Sequence, residues 1–312
     1  MRYKLLFRIA LSLAFVSYLV FKIDWPSLVA TFFSIKPTYF FLSLLLAILN
    51  SFILAIKYKT LMKPSGLYQP FLKLVKINFV SRFYAMFLST AIGHGVVRWY
   101  KVTKNQNGRS KFLTVMVLER LTFLFAIFCA SILSLNLLSN PQLKDFELKA
   151  LPFLWAGLAG LILFFLYFLY SPLYNLINRV LQFVTTKLFA LVKRKFPSPD
   201  FTVSYEYDNV ILTVFLAFVW HLLFLLRVYA LFLSLEVPLD FIDATWMASL
   251  VLLVQVIPVS FSGIGVRETA YAYVFKMQNL PPEQGTLIGI LFFSQMLFMS
   301  LIGGALELSS KD

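Results

Sequence analysis

The chain has 312 residues, of which 60% are hydrophobic and only 13% charged; its mean hydropathy is +0.81 and its net charge +14. A soluble domain carries about a quarter charged residues, so a chain this poor in charge cannot cover its own surface in water, and a water-soluble fold is excluded. The basic residues sit between apolar runs rather than on one soluble face, which argues against nucleic acid as a partner and for cytoplasmic loops lying against anionic lipid headgroups.

In lipid every backbone polar group must be bonded internally, and the long unbroken apolar runs select helices over the alternating strands of a barrel. Six runs reach the ~20 residues needed to cross a bilayer: 5–23, 38–58, 112–138, 151–171, 210–235 and 286–306. The first has a basic start, but it is long for a signal peptide and no small-residue cleavage site follows; it reads as a retained span.

Two further apolar regions, 77–97 and 244–276, are interrupted. The first contains Arg82 and His94. The second is broken by Pro258, Ser260, Ser262, Gly263 and Gly265. Loop charge sets their topology. Arg2, Lys4 and Arg8 place the N-terminus in the cytoplasm, and Lys57, Lys59, Lys63, Lys73 and Lys76 mark the next cytoplasmic loop. Arg98, Lys101, Lys104, Arg109 and Lys111 mark another loop on the same side. Region 77–97 must therefore enter and return, as a re-entrant element or a short hairpin. Residues 139–150 and the acidic 236–243 read as outside, 172–209 as inside, and 244–276 as a second re-entrant element entering from the opposite face. The C-terminus then ends in the cytoplasm.

This gives an all-α integral membrane fold of about six full spans and two re-entrant or broken-helix elements, in one membrane domain over 1–312. Halves at 1–150 and 151–312 are expected to be related as an inverted repeat. Over 173–195, apolar residues at helical spacing (Leu173, Leu176, Ile177, Val180, Leu181) face away from Asn175, Asn178 and Arg179. That pattern reads as an amphipathic helix on the cytoplasmic leaflet or as a packing linker.

The residues with chemical potential lie at the interruptions. Pro258 ends a helix, Gly263 and Gly265 permit a tight turn, and Arg267-Glu268 then place two ionisable groups in an apolar region, where charge faces a cavity or a partner. The N-terminus of a broken helix can hold an anion, and Arg267 can grip phosphate bidentately; the alternative is a structural Arg–Glu pair. Gly93-His94-Gly95-Val96-Val97-Arg98 echoes that pattern, with Arg98 either a site residue or an interfacial anchor. Glu119-Arg120 lies about two turns into a span and either lines a cavity or forms a packing salt bridge. His221 beside Trp220 reads as packing. With one cysteine, Cys129, and two histidines, neither a disulfide nor a usual zinc site can be assembled, and no cofactor-binding or catalytic motif stands out. Gly303-Gly304-Ala305 reads as a close helix contact.

These motifs resemble the flippase-like family, also called the lysylphosphatidylglycerol synthase transmembrane region. Pro258 to Glu268 is similar to its Pro-x-x-x-Gly-Gly-x-Gly-x-Arg-Glu pattern, with Ser262 in place of the first glycine of the pair. Glu119-Arg120 resembles its acidic-Arg step. Arg98 resembles the end of its Gly-acid-x-x-Arg motif, with Gly95 in the acidic place. The resemblance implies lipid handling without aminoacyl transfer, because no soluble transferase domain accompanies these spans. The expected function is a lipid translocase or lipid-binding transporter for an anionic or phosphate-bearing headgroup, lined by Arg98, Glu119, Arg120, Arg267 and Glu268, in the cytoplasmic membrane. The alternatives are a membrane-embedded enzyme on lipid-linked substrates and a noncatalytic partner of a lipid-modifying enzyme; a homo-oligomer fits any of them.

Overall fold

The computed structural model describes residues 26, 33–87, 90–104, 106, 108–138, 143–169, 207–256 and 263–309. The expected span at 5–23, the amphipathic stretch 173–195, and Pro258, Ser260 and Ser262 lie outside the described residues. Among those described there are nine helices and no strands: α1 Pro37–Met62, α2 Phe71–Phe87, α3 Thr90–Thr103, α4 Arg109–Asn136, α5 Lys144–Leu169, α6 Tyr207–Ser234, α7 Phe241–Val256, α8 Val266–Met277 and α9 Pro282–Leu308.

Five of these are long and apolar enough to cross a bilayer: α1, α4, α5, α6 and α9. Each coincides with one of the apolar runs. The helices begin earlier than the hydropathy does. In α5 the first turn is made by polar residues that include Asp145 and Glu147, acids whose charge complements the positive end of the helix dipole. The lipid-facing sides are apolar as well: Phe41, Leu45 and Leu49 form an exposed stripe on α1, and Phe215, Leu222 and Leu226 lie exposed on α6.

The interrupted regions are two helical hairpins. In the first, Gln69 Nε2 just before α2 donates to the Val102 carbonyl at the end of α3 (2.9 Å), so both open ends lie on one face. In the second, Gln278 Nε2 after α8 donates to Asp243 Oδ1 at the start of α7 (2.8 Å). At ~1.5 Å per residue, their 17-, 14-, 16- and 12-residue helices rise about 26, 21, 24 and 18 Å, short of the ~30 Å hydrocarbon core. None of the four is long enough to span it alone.

Helices α1 and α9 fix the faces from which the hairpins enter. Helix α1 starts against the end of α6, through Lys36 N–H to the Ser234 carbonyl (2.8 Å), beside the open end of the second hairpin, where Tyr229 of α6 packs on Phe241 of α7. Its far end, Met62, leads into the turn that precedes the first hairpin. Helix α9 starts against α8 and finishes against α2 and α3. The hairpins therefore enter from opposite faces, as the loop charges require.

Small residues let α9 serve both hairpins. A Cβ on Gly285 would stand 2.5 Å from the Tyr271 carbonyl oxygen, and one on Gly289 2.9 Å from the Glu268 Cα. At the other end a Cβ on Gly303 would collide with the Phe79 backbone. The expected close contact at Gly303-Gly304 is thus with α2. Each hairpin has its own apolar core. Trp246, Phe275, Leu231 and Leu287 anchor one, and Phe79, Phe112, Met62 and Val115 anchor the other. The partly buried Cys129 packs against the first of these, and His221 is buried, stacked on Phe224 with Nε2 3.3 Å from Ser249 Oγ. The ionisable interior lies between the two cores.

Candidate functional site

The break before α8 is built by glycine. Gly263 and Gly265 both adopt positive φ, 72° and 81°, a region open to glycine at no steric cost. A Cβ on Gly263 would also meet Arg267 Nη2 at 2.8 Å. This turn starts α8 inside the protein and buries Arg267 (2% exposed) and Glu268 (6%). Glu268 Oε2 accepts the Gly265 N–H at 2.6 Å, capping the helix that it begins. Its other oxygen stands 4.0 Å from Arg267 Nη1. Arg267 Nε donates to Gln255 Oε1 of α7 at 3.2 Å, which ties the two arms of the hairpin together. The carboxylate at this helix N-terminus is therefore the chain's own.

On the other side of the interior, Glu119 of α4 meets the last turns of α1. Lys57 Nζ lies 3.3 Å from Glu119 Oε1 and also donates to the Glu119 carbonyl at 3.1 Å. The Tyr58 hydroxyl donates to Glu119 Oε2 (3.3 Å) and accepts from Arg98 Nη1 (2.7 Å). The Arg98 guanidinium lies 4.6 Å from the centre of the Tyr58 ring. Lys57, expected in a loop, is in fact 1% exposed inside α1. Two neighbours on a helix face directions about 100° apart, and Glu119-Arg120 obeys this. Glu119 turns inward, while Arg120 is exposed and lies over Phe123. Arg120 therefore lies on the outer side of α4, although its charge still reaches Glu119 and Lys57.

Two arginines bridge these clusters. Arg82 of α2, close in sequence to His94 and Arg98 of the same hairpin, reaches α9 with Nη1 3.0 Å from Met299 Sδ, one turn from Gln295. Arg227, in the middle of α6, is in turn a neighbour of Arg267. Its Nε donates to Gln295 Oε1 (2.9 Å), and Gln295 is held by Ser43 of α1 (3.0 Å). The Phe292 ring is shared by two guanidiniums, Arg227 at 3.8 Å and Arg267 at 5.0 Å. The result is a line of cationic side chains, Arg98, Arg82, Arg227 and Arg267, running from the first hairpin to the second.

The energetics of this line are unfavourable for packing alone. An arginine at membrane depth costs about 3 kcal/mol even on the lenient insertion scale, and an arginine cannot shed its proton. A desolvated cation–π contact returns about 2 kcal/mol, and here one ring serves two cations. Packing alone gives no reason to gather like charges at such cost.

Sequence reasoning missed Arg227, Gln295, Lys57 and Tyr58. A single arginine inside an otherwise apolar 28-residue helix was a readable signal for Arg227. Lys57–Glu119, 62 residues apart, left none.

Two helical hairpins held among long apolar helices, with ionisable side chains buried between them, define an all-helical integral membrane protein. The lysylphosphatidylglycerol synthase TM region family model matches residues 5–304, and the chain belongs to that family. It is also similar to a UPF0104 membrane protein of Methanocaldococcus jannaschii, with 21% identity over 294 residues, covering 90% of this chain and 87% of that protein. No solved structure matches the chain.

Proposed function

We propose that this protein binds the polar headgroup of a membrane lipid between its two hairpins and carries it across the bilayer, in the cytoplasmic membrane with both termini on the cytoplasmic side. The observation that supports this reading is the line Arg98, Arg82, Arg227 and Arg267, the last three of which meet α9 at Met299, Gln295 and Phe292 between two elements entering from opposite faces. A headgroup handed along it never meets bare hydrocarbon, and the acyl chains remain in lipid beside the exposed apolar stripes. The headgroup is anionic or phosphate-bearing, because guanidinium forks match phosphate oxygens in pairs. Membership of a family described as the membrane region of a lysylphosphatidylglycerol synthase supports a lipid as cargo.

The test is lipid movement in reconstituted liposomes, read from the accessibility of a fluorescent phospholipid to a membrane-impermeant quencher. Wild-type protein should speed movement over empty liposomes. Arg267→Gln and Arg98→Gln should each reduce it about tenfold, the effect of losing one charge-assisted hydrogen-bond set. Undiminished movement in folded variants would remove the site from the mechanism.

A further inference from the structure

The charges of the interior can be counted. Lys57, Arg82, Arg98, Arg227 and Arg267 supply five positive charges, and Glu119 and Glu268 two negative ones; among the described residues, five minus two leaves an excess of three. Both carboxylates are committed. Glu119 is engaged by Lys57 and Tyr58, and Glu268 caps α8 beside Arg267. No carboxylate of a described residue forms an ion pair with Arg82, Arg98 or Arg227. Arg227 is 8% exposed, and its Nη2 is buried without a hydrogen-bond acceptor among the described residues; the same holds for Nε of Arg98.

From this we infer that the site takes a headgroup bearing two or more negative charges, a phosphomonoester or a diphosphate, in preference to a singly charged phosphodiester and against a cationic aminoacyl headgroup. The inference rests on the lipid-handling reading and sharpens it. A phosphodiester would cancel one of three excess charges. A phosphomonoester brings close to two and a diphosphate more, each with more charged oxygens to accept from guanidiniums than a phosphodiester offers. An aminoacyl headgroup would bring a further ammonium into a region of like charge whose carboxylates already have partners.

The experiment uses the full chain in phosphatidylcholine nanodiscs doped in turn with a dialkyl-glycerol phosphomonoester, phosphatidylglycerol or lysyl-phosphatidylglycerol. Retained lipid is counted by native mass spectrometry. A parallel arm adds inorganic pyrophosphate to undoped nanodiscs and reads the melting temperature. The phosphomonoester lipid should be retained at least tenfold over phosphatidylglycerol, with no enrichment of the lysyl lipid. Arg227→Gln should erase the preference; Arg98→Gln, on a different helix, should lower it independently, so a folding failure in one variant leaves the other to decide. Equal retention of the three lipids, or enrichment of the lysyl lipid, overturns the inference. So does pyrophosphate stabilisation as large as that given by the phosphomonoester lipid, which would assign the site to a free anion. Lipid movement measured in liposomes separates this from the broader reading. Movement without charge preference sinks the inference and leaves transport standing. Retention of the phosphomonoester without movement supports the inference and sinks transport.

Discussion

The two hairpins end their helices inside the bilayer by different means. The second carries its own counter-charge: Glu268 follows Arg267 directly, caps α8 through the Gly265 N–H and faces the guanidinium it adjoins. The first carries Arg82, His94 and Arg98 and no acid in its described residues, and it borrows Glu119 from α4 through Tyr58. One hairpin is electrostatically closed on itself, whereas the other depends on a neighbouring helix and keeps cationic excess. The comparison separates the roles of the two carboxylates. Glu268 is part of the turn that makes its hairpin, and Glu119 is part of the contact that seats the other one.

The largest effect that can break the comparison comes from the helix both hairpins share. Gly303→Leu drives a side chain into the Phe79 backbone and Gly285→Leu into the Tyr271 carbonyl, so each should abolish the monodisperse peak on gel filtration in detergent. Gly160→Leu, with nothing within 4 Å of its Cβ, should leave that peak intact. A folded Gly303→Leu protein would show that α9 does not clamp the first hairpin.

Next in size is the contrast between the carboxylates. Glu119→Gln leaves Lys57 buried without its counter-ion, a loss of about 3 kcal/mol or more; adding Lys57→Met should recover most of it, because removing both charges removes the penalty. Glu268→Gln keeps a side-chain acceptor for the Gly265 N–H but removes the charge 4.0 Å from the buried Arg267. At that longer separation it should cost less than Glu119→Gln, while reducing lipid movement more than its stability loss accounts for. Thermal melts with liposome transport on the same preparations check both, and equal destabilisation by the two changes would erase the distinction.

How much of this was readable beforehand follows from the range of each signal. Hydropathy over ~20 residues is local, so all five described spans were legible. The hairpins were legible because a parity of loop charges is global yet simple, and because Gly263 and Gly265 announce a turn. The resemblance to the family pointed to Arg267, Glu268, Arg98 and Glu119; the first two are buried together at the second hairpin, and the last two meet through Tyr58 at the first. Which of two adjacent residues turns inward depends on helix rotation against neighbours, so Glu119 and Arg120 were indistinguishable on the page. Arg227 stood out alone as a charge in an apolar helix, but its approach to Arg82, 145 positions away by subtraction of their numbers, is a coupling that neither periodicity nor composition carries.

A smaller effect tests the turn itself. Gly263→Ala places a Cβ at φ 72° and against Arg267 Nη2. The backbone strain is about 1 kcal/mol, but the guanidinium must also move. Transport should fall further than the melting temperature predicts, whereas Gly66→Ala, with a similar φ of 68° and open space around it, should show the strain alone.

The smallest difference lies at the rims. Where the second hairpin opens, Lys36 and Glu236 pair with side chains 52% and 65% exposed. The hydrogen bond and charge of Glu236 hold the Lys36 ammonium above its ordinary range, so Lys36 stays charged throughout neutral pH. Water and salt screen such a pair, and Glu236→Gln should leave the melting temperature unchanged. At the rim of the first hairpin, Lys101 and Glu307 are 28% and 22% exposed, and Tyr84 adds a third hydrogen bond at 3.0 Å. That clasp joins α2, α3 and α9, so Glu307→Gln should cost about 1 kcal/mol and lose its effect in high salt more slowly than an exposed pair would. If the two substitutions prove equally silent, the first hairpin is held by glycine contact and the Glu119 relay alone, and its dependence on neighbouring helices is narrower than the charge pattern implies.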